Sequence, residues 1–156
     1  MTSKNSTSDF FLICRSHPRR CALPLASVGE TMRSQPIQII PDMPGYILGA
    51  SIIRGAIVPV VDVANLLGVS GHSHRDRLVT LRFGERCVAF AVDEVIGVRK
   101  LDGETTQAIP PLLTAIEVGI IESMTMLDAE LLLVLQAAHL IPDAVWNALD
   151  SKGMVQ

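Results

Sequence analysis

The chain has 156 residues, of which 49% are hydrophobic and 19% charged, and its formal net charge is −3. A chain of this length buries roughly 70% of the surface that its unfolded form exposes, which excludes a disulfide-stapled mini-protein and a disordered polymer. The negative charge gives no general attraction to nucleic acid or to acidic lipid.

No segment has the roughly 18 uninterrupted apolar residues that a membrane-spanning helix needs. The richest one, residues 46–63, is interrupted by Arg54, Pro59 and Asp62. Residues 1–9 are polar, lack an apolar signal core and are expected to form a flexible tail. Three widely spaced cysteines fit a reducing compartment better than a disulfide framework. These features predict a cytoplasmic protein that does not insert into the membrane.

The first half of the chain predicts short strands. Turn residues separate five apolar runs, at residues 10–14, 21–25, 36–40, 49–53 and 57–61. Their alternation predicts a hairpin from the first two runs, a connecting strand from the third, and a second hairpin from the last two around the turn Arg54-Gly55. Asp62 then begins a short helix that ends at Gly68.

The second half repeats this order. Further strands are predicted at residues 78–83, 87–92, 95–98, 119–123 and 130–135, followed by a short helix at residues 136–140. We therefore predict an all-β domain over residues 10–141, built from two small barrels of about residues 10–68 and 78–141 that share a core. Residues 142–156 are expected to form an amphipathic helix and tail, with Trp146 anchoring the helix on a barrel.

Two segments resemble a known family. Residues 49–62, GASIIRGAIVPVVD, and residues 90–97, FAVDEVIG, resemble the signature of the CheW-like chemotaxis coupling domain, and the resemblance runs from about residue 10 to residue 141. It implies two five-stranded barrels and no catalytic activity. It also implies an adaptor that bridges the cytoplasmic tip of a methyl-accepting chemoreceptor and the regulatory domain of a CheA-like histidine kinase.

The resemblance also implies which residues contact these partners. They are Val28, Glu30, Gly49, Arg54 and Val98, and we add Ile53 and Gly55, which flank Arg54, to the predicted contact residues. The planar donor fork of Arg54 suits a carboxylate at an interface, although a solvated turn arginine is the alternative. Gly49 and Gly55 have structural alternatives, a close backbone approach for the first and a positive φ for the second. Ile52-Ile53 stands where the family usually has Asn-Leu, a difference that bears on which partner is bound.

A zinc site is the strongest metal hypothesis that the sequence offers. Cys14, His17 and Cys21 could supply three ligands, and His72 or His74 a fourth. Structural zinc needs four closed ligands, and only a partial set is local. Buried core cysteines are the favoured interpretation, and we expect no metal and no cofactor.

The sequence gives equally little support for a catalytic site. Asp93 and Glu94 are adjacent, so in a strand they point to opposite faces and cannot act as a facing acid and base. No Gly-rich phosphate cradle and no local frame for a nucleophile is present. We expect no enzymatic activity. The alternative function is a small-molecule-binding β-barrel that uses an apolar groove between the two halves.

Overall fold

The computed structural model describes residues 10–69, 74–101, 121–127, 130–135, 143 and 146–147, with the backbone alone for residues 121–127 and 130–133. Ten strands account for most of this part of the chain. They are β1 (Phe10–Ser16), β2 (Arg19–Pro24), β3 (Val28–Arg33), β4 (Ile47–Ile53), β5 (Ala56–Asp62), β6 (Arg77–Phe83), β7 (Arg86–Val92), β8 (Glu94–Lys100), β9 (Ile121–Leu127) and β10 (Glu130–Leu135). A 3-10 helix at Leu25–Ser27 and a one-turn helix, α1 (Val63–Leu66), are short. The prediction of a mainly β chain is confirmed.

The strands form two five-stranded sheets. The first sheet has the order β8-β1-β2-β10-β9, and the second has the order β3-β6-β7-β5-β4. Each sheet is antiparallel except at one neighbouring pair, β2 with β10 in the first and β7 with β5 in the second. The two orders are therefore the same pattern of strands, which agrees with the duplication in the sequence. The predicted connecting strand at residues 36–40 is wrong, because only Gln38 forms a bridge there, with Ala50, and β3 takes that place in the pattern.

The sheets do not coincide with the predicted halves, residues 10–68 and 78–141. The β1–β2 hairpin joins β8, β9 and β10, whereas the β6–β7 hairpin joins β3, β4 and β5. The chain crosses between sheets at the 3-10 helix Leu25–Ser27 and again at Asp93, so each half donates its first hairpin to the sheet of the other half. In the described residues the strand pairing leaves two open edges in each sheet. The prediction of two closed barrels is therefore not confirmed.

Alternating side chains of the strands form three apolar clusters. The largest lies between the sheets and combines Leu12 and Leu23 of the first with Val79 and Phe90 of the second. A smaller cluster covers the other face of each sheet. The cluster on the first sheet includes Ile13, and the cluster on the second sheet includes Val60. Central strands are thus buried on both faces, which accounts for the abundance of short aliphatic residues. Trp146 packs against the largest cluster, as predicted.

Candidate functional site

The turn between β4 and β5 is the most exposed part of the predicted contact region. Ile53 pairs with Ala56 across it, and its two central residues have positive φ, 51° at Arg54 and 80° at Gly55. Positive φ at both positions is the pattern of a type I′ hairpin turn. The predicted hairpin is confirmed, and its turn presents an Arg54 side chain that is 78% exposed.

Arg54 forms a two-pronged ion pair with Glu30 of β3. Its Nε donates to Oε2 at 2.7 Å, and its Nη2 donates to Oε1 at 2.8 Å. These hydrogen bonds hold the pKa of the Glu30 carboxyl below its ordinary value, and Glu30 raises the pKa of Arg54. Bidentate pairing of this kind fixes the orientation of the guanidinium. Two predicted contact residues, 24 positions apart, are therefore brought together.

The backbone of β3 places Glu30 at this point. The β3–β6 register shifts between Val28 and Thr31, and the Glu30 N–H donates to Thr80 Oγ1 at 2.9 Å. A Cβ on Gly29 would lie 2.7 Å from the same Thr80 oxygen, so glycine permits the approach. Gly29 and Thr80 were not predicted as site residues, because a glycine signals a bulge only inside a strand and no strand was predicted at residues 28–33.

The ion pair spans opposite edges of the second sheet. In a flat sheet β3 and β4 would lie about 19 Å apart, since neighbouring strands are spaced by about 4.8 Å. The side chains of Glu30 and of Arg54, in the turn after β4, are together too short to bridge that distance, so their contact at 2.7 Å requires the sheet to curl. Its concave face holds a cavity of about 400 Å³, lined by Gly29, Glu30, Ile53, Arg54, Ala56, Val58, Thr80, Arg82 and Cys87.

The cavity combines an apolar floor with a charged rim. Ile53 and Val58 are buried, while Arg82 adds a second guanidinium beside the Glu30–Arg54 pair. Burial raises the pKa of the Cys87 thiol, and a protonated thiol is a poor nucleophile. This arrangement suits binding through apolar contact and charge. We call the exposed pair and its turn the Glu30–Arg54 rim.

Gly49 has a structural role inside β4. It is buried with φ of 148°, and a Cβ there would lie 2.1 Å from the carbonyl oxygen of Gln38. Gln38 exchanges two backbone hydrogen bonds with Ala50, at 2.8 and 2.9 Å. The close backbone approach considered for this glycine is therefore observed. Val28 packs against the largest cluster and Ile53 belongs to the cluster of the second sheet, so both are packing residues close in sequence to Glu30 and Arg54.

Val98 lies on a separate surface. It belongs to β8, at an edge of the first sheet, and is 48% exposed. Ile96 on the same strand and Phe10 on β1 are also exposed. We call these three residues the β8 surface. The structure brings Glu30 and Arg54 together but does not bring Val98 to them.

Two exposed isoleucines were not singled out as contact residues. Ile52 of β4 is 71% exposed and Ile39 is 81% exposed. Ile52 stands at the first position of the departure from the family's Asn-Leu, where an apolar residue replaces a polar one. That departure from the family pattern was the signal in the sequence that could have identified Ile52 as an exposed apolar residue.

The cysteines of the zinc hypothesis are core residues. Cys14 and Cys21 face each other across β1 and β2 and are both buried, and a hydrogen bond with Cys14 is the main cause of a raised pKa at Cys21. His17 is exposed in the turn, and His72 lies outside the described residues. Within the described part of the chain, no three His, Cys, Asp or Glu side chains are grouped to hold a metal.

Most of the chain matches a known domain family. The model of the CheW-like domain family matches residues 11–145, and this chain belongs to that family, whose members are scaffolding adaptors rather than enzymes. No helix in the described residues is long and apolar enough to cross a membrane.

Individual proteins are also similar to this chain. The chemotaxis protein CheW of Klebsiella aerogenes is 24% identical over 133 residues, covering 84% of this chain and 80% of that protein. The protein PilI of Pseudomonas aeruginosa is 25% identical over 97 residues, covering 60% of this chain and 54% of that protein. The crystal structure of the scaffolding protein TtCheW from Thermoanaerobacter tengcongensis has a TM-score of 0.73 at 23% identity, covering 85% of this chain and 92% of that chain. That structure has the same fold.

Proposed function

We propose that this chain is a non-catalytic adaptor that couples the cytoplasmic tip of a chemoreceptor to the regulatory domain of a CheA-like histidine kinase. The observation that carries the proposal is the bidentate Glu30–Arg54 pair at the open rim of the cavity. Exposed ion pairs contribute little to stability. A pair with fixed geometry at a concave surface is better suited to partner recognition, and the similarity of the chain to a chemotaxis protein CheW supports the adaptor role.

An adaptor needs more than one contact surface, and two surfaces of different chemistry are present. The Glu30–Arg54 rim is charged and lies on the second sheet, whereas the β8 surface is apolar and lies on the first. We assign the rim to kinase docking and the β8 surface to receptor docking. Both partners act in the cytoplasm, so we place the adaptor there as well.

The decisive variant is Arg54→Glu. It replaces an ion pair by two facing carboxylates and reverses the charge offered to a partner, so binding to the kinase regulatory domain should weaken by several kcal/mol, as like-charge contacts do. Its own stability should change by about 0.5 to 1 kcal/mol, because Arg54 is exposed. Calorimetric titration and urea unfolding measure the two quantities. Unchanged affinity for both kinase and receptor would show that the rim is not a docking surface.

A charge swap separates recognition from local structure. Glu30→Arg combined with Arg54→Glu restores an intramolecular pair but reverses its direction at the rim. If the partner reads the Arg54 charge, the double variant will still bind weakly. If the pair only holds the turn in place, the swap will restore affinity, which would contradict direct recognition. Arg33→Glu is the matched control, because Arg33 is exposed and is not among the residues that line the cavity.

Small-molecule binding is the second candidate, and the volume of the cavity favours it. About 400 Å³ falls within the range of about 300–1,000 Å³ that is usual for ligand sites. The cavity lies on the concave face of the second sheet, whereas the sequence predicted a groove between the halves. Thermal stabilisation by a small ligand, without any affinity for kinase or receptor, would favour this candidate over the adaptor.

A further inference from the structure

Asp93 occupies a crossing point between the two sheets. It is the single residue between β7, which ends at Val92 in the second sheet, and β8, which begins at Glu94 in the first. The backbone passes from one sheet to the other here without a loop. β8 itself pairs with β1, and the path by which the chain enters it from the second sheet depends on how Asp93 is held.

The Asp93 carboxylate binds backbone groups from both sheets. Its Oδ2 accepts the N–H of His17 at 2.9 Å, in the β1–β2 turn of the first sheet. Its Oδ1 accepts the N–H groups of His74 at 3.0 Å and Arg75 at 3.1 Å, in the segment that leads into β6 of the second sheet. Its own N–H donates to the Arg15 carbonyl at 2.8 Å. One side chain therefore ties together three segments that are distant in sequence.

The segment at Arg75 shows that this arrangement holds strained backbone. Arg75 has a φ of 51°, a conformation that residues other than glycine adopt infrequently and that persists where several contacts hold it. Besides the hydrogen bond to Asp93, its Nε lies 3.5 Å from Oδ2 of Asp62 at the buried end of β5. Two carboxylates therefore contact Arg75, one through a hydrogen bond to its backbone and one through an ion pair with its side chain.

We propose that Asp93 is a positioning residue that holds the two sheets, and with them the Glu30–Arg54 rim and the β8 surface, in one relative arrangement so that two partners bind together. Val98 follows Asp93 by five positions on β8, so a change at the crossing moves the strand that carries it. The inference rests on the proposed adaptor function for its consequence, but the positioning itself is testable without any partner.

The first test measures the distance between the sheets. Spin labels at Glu85→Cys and Lys100→Cys, in a Cys87→Ser background, report on the second and first sheets, since the two other cysteines are buried. The parent should give one narrow distance distribution. Asp93→Asn keeps the size of the side chain but loses one carboxylate oxygen, and it should broaden the distribution, while the control Glu94→Gln should not.

Asp93→Ala, which removes every acceptor, should broaden the distribution further. If Asp93→Ala does not fold, as judged by circular dichroism, Asp93→Asn decides the question. A distribution that stays as narrow as the parent's in each Asp93 variant that folds would overturn the inference.

The second test separates positioning from general destabilisation. Binding of the kinase regulatory domain and of a receptor hairpin fragment is measured singly and then together. Asp93→Asn should leave each single affinity within about twofold and weaken the joint complex about fivefold or more, in the usual range of coupling between two sites. An equal loss in all three measurements would indicate a merely structural role and overturn the inference. If the parent binds neither partner, the adaptor proposal fails, while the distance measurement still decides the role of Asp93.

Discussion

Gly49 and Gly55 lie at the two ends of one strand-and-turn segment, and both have positive φ, 148° and 80°. At Gly49 a Cβ would meet the Gln38 carbonyl oxygen at 2.1 Å, whereas at Gly55 nothing lies within 4 Å. The first glycine is required by packing and the second only by the turn. A single sequence motif therefore contains a residue that packing requires beside exposed turn residues, and Arg54 belongs to the second group.

Gly49→Ala tests the buried end of this segment and should have the largest effect. The added Cβ meets backbone that cannot rotate away, and the positive φ is unfavourable for alanine, so unfolding free energy should fall by about 3 kcal/mol or more. Gly55→Ala is the matched control, with a loss of about 1–2 kcal/mol from φ alone. Urea unfolding measures both. Equal losses would show that the approach of Gln38 does not limit the fold.

Val98→Asp extends the comparison to the first sheet. Placing a carboxylate on the β8 surface should weaken binding of a receptor hairpin fragment by about 1–3 kcal/mol, because the charge would have to be desolvated against an apolar partner. The variant should unfold near the parent, since Val98 is 48% exposed. Val98→Thr keeps the shape and should lose less affinity. If titration calorimetry gives the same affinity for Val98→Asp as for the parent, β8 is not part of the receptor contact.

Arg86 contrasts with Arg54 as an exposed arginine beside a hairpin turn. Its guanidinium lies 4.5 Å from the centre of the Trp146 ring, so Arg86→Ala should cost about 0.5–1 kcal/mol through the lost cation–π contact. Trp146 is the single tryptophan of the chain, and its fluorescence should change in this variant. The control is Lys100→Ala, because Lys100 lies 6.0 Å from the Phe10 ring, at the limit of such contacts. Equal stability of the Arg86 variant and the parent would show that the cation–π contact does not contribute to the free energy of unfolding.

The smallest effect is the dependence of the rim on pH. The folded-state pKa of Glu30 is lowered by Arg54, so the stabilising contribution is complete above the ordinary value of about 4.3 and is lost as the pH falls through the lowered pKa. Thermal unfolding of the parent and of Glu30→Gln, followed from about pH 6 to about pH 3, should therefore converge toward the acidic end. A difference that does not change with pH would contradict the pairing.

The pattern of neighbouring residues in the sequence was sufficient to predict some of these structural features but not others. Alternation and turn residues correctly predicted the β4–β5 hairpin and its Arg54-Gly55 turn, because both depend on neighbouring residues. The contact between Glu30 and Arg54 depends on the curl of a whole sheet, and the support from Thr80 comes from 50 residues away. No spacing rule reaches that far, and the family resemblance alone indicated that these residues share a region.

The exchange of hairpins between sheets was invisible for the same reason. A hairpin such as β1–β2 is specified locally, but the sheet that it joins is decided by long-range partners such as Leu132 opposite Arg20. Both assignments of the hairpin satisfy the same sequence pattern. Repetition in the sequence therefore predicted the kind of sheet correctly but not which strands compose each one.

That exchange also determines the order in which the molecule can be completed during synthesis. The second sheet has all its strands once β7 has been made, whereas the β1–β2 hairpin, although synthesised first, must wait for β10, which ends at Leu135. Until then the edge of β2 that pairs with β10 is open, and such unpaired strand edges are prone to aggregation. The oldest part of the nascent chain is thus among the last to be protected.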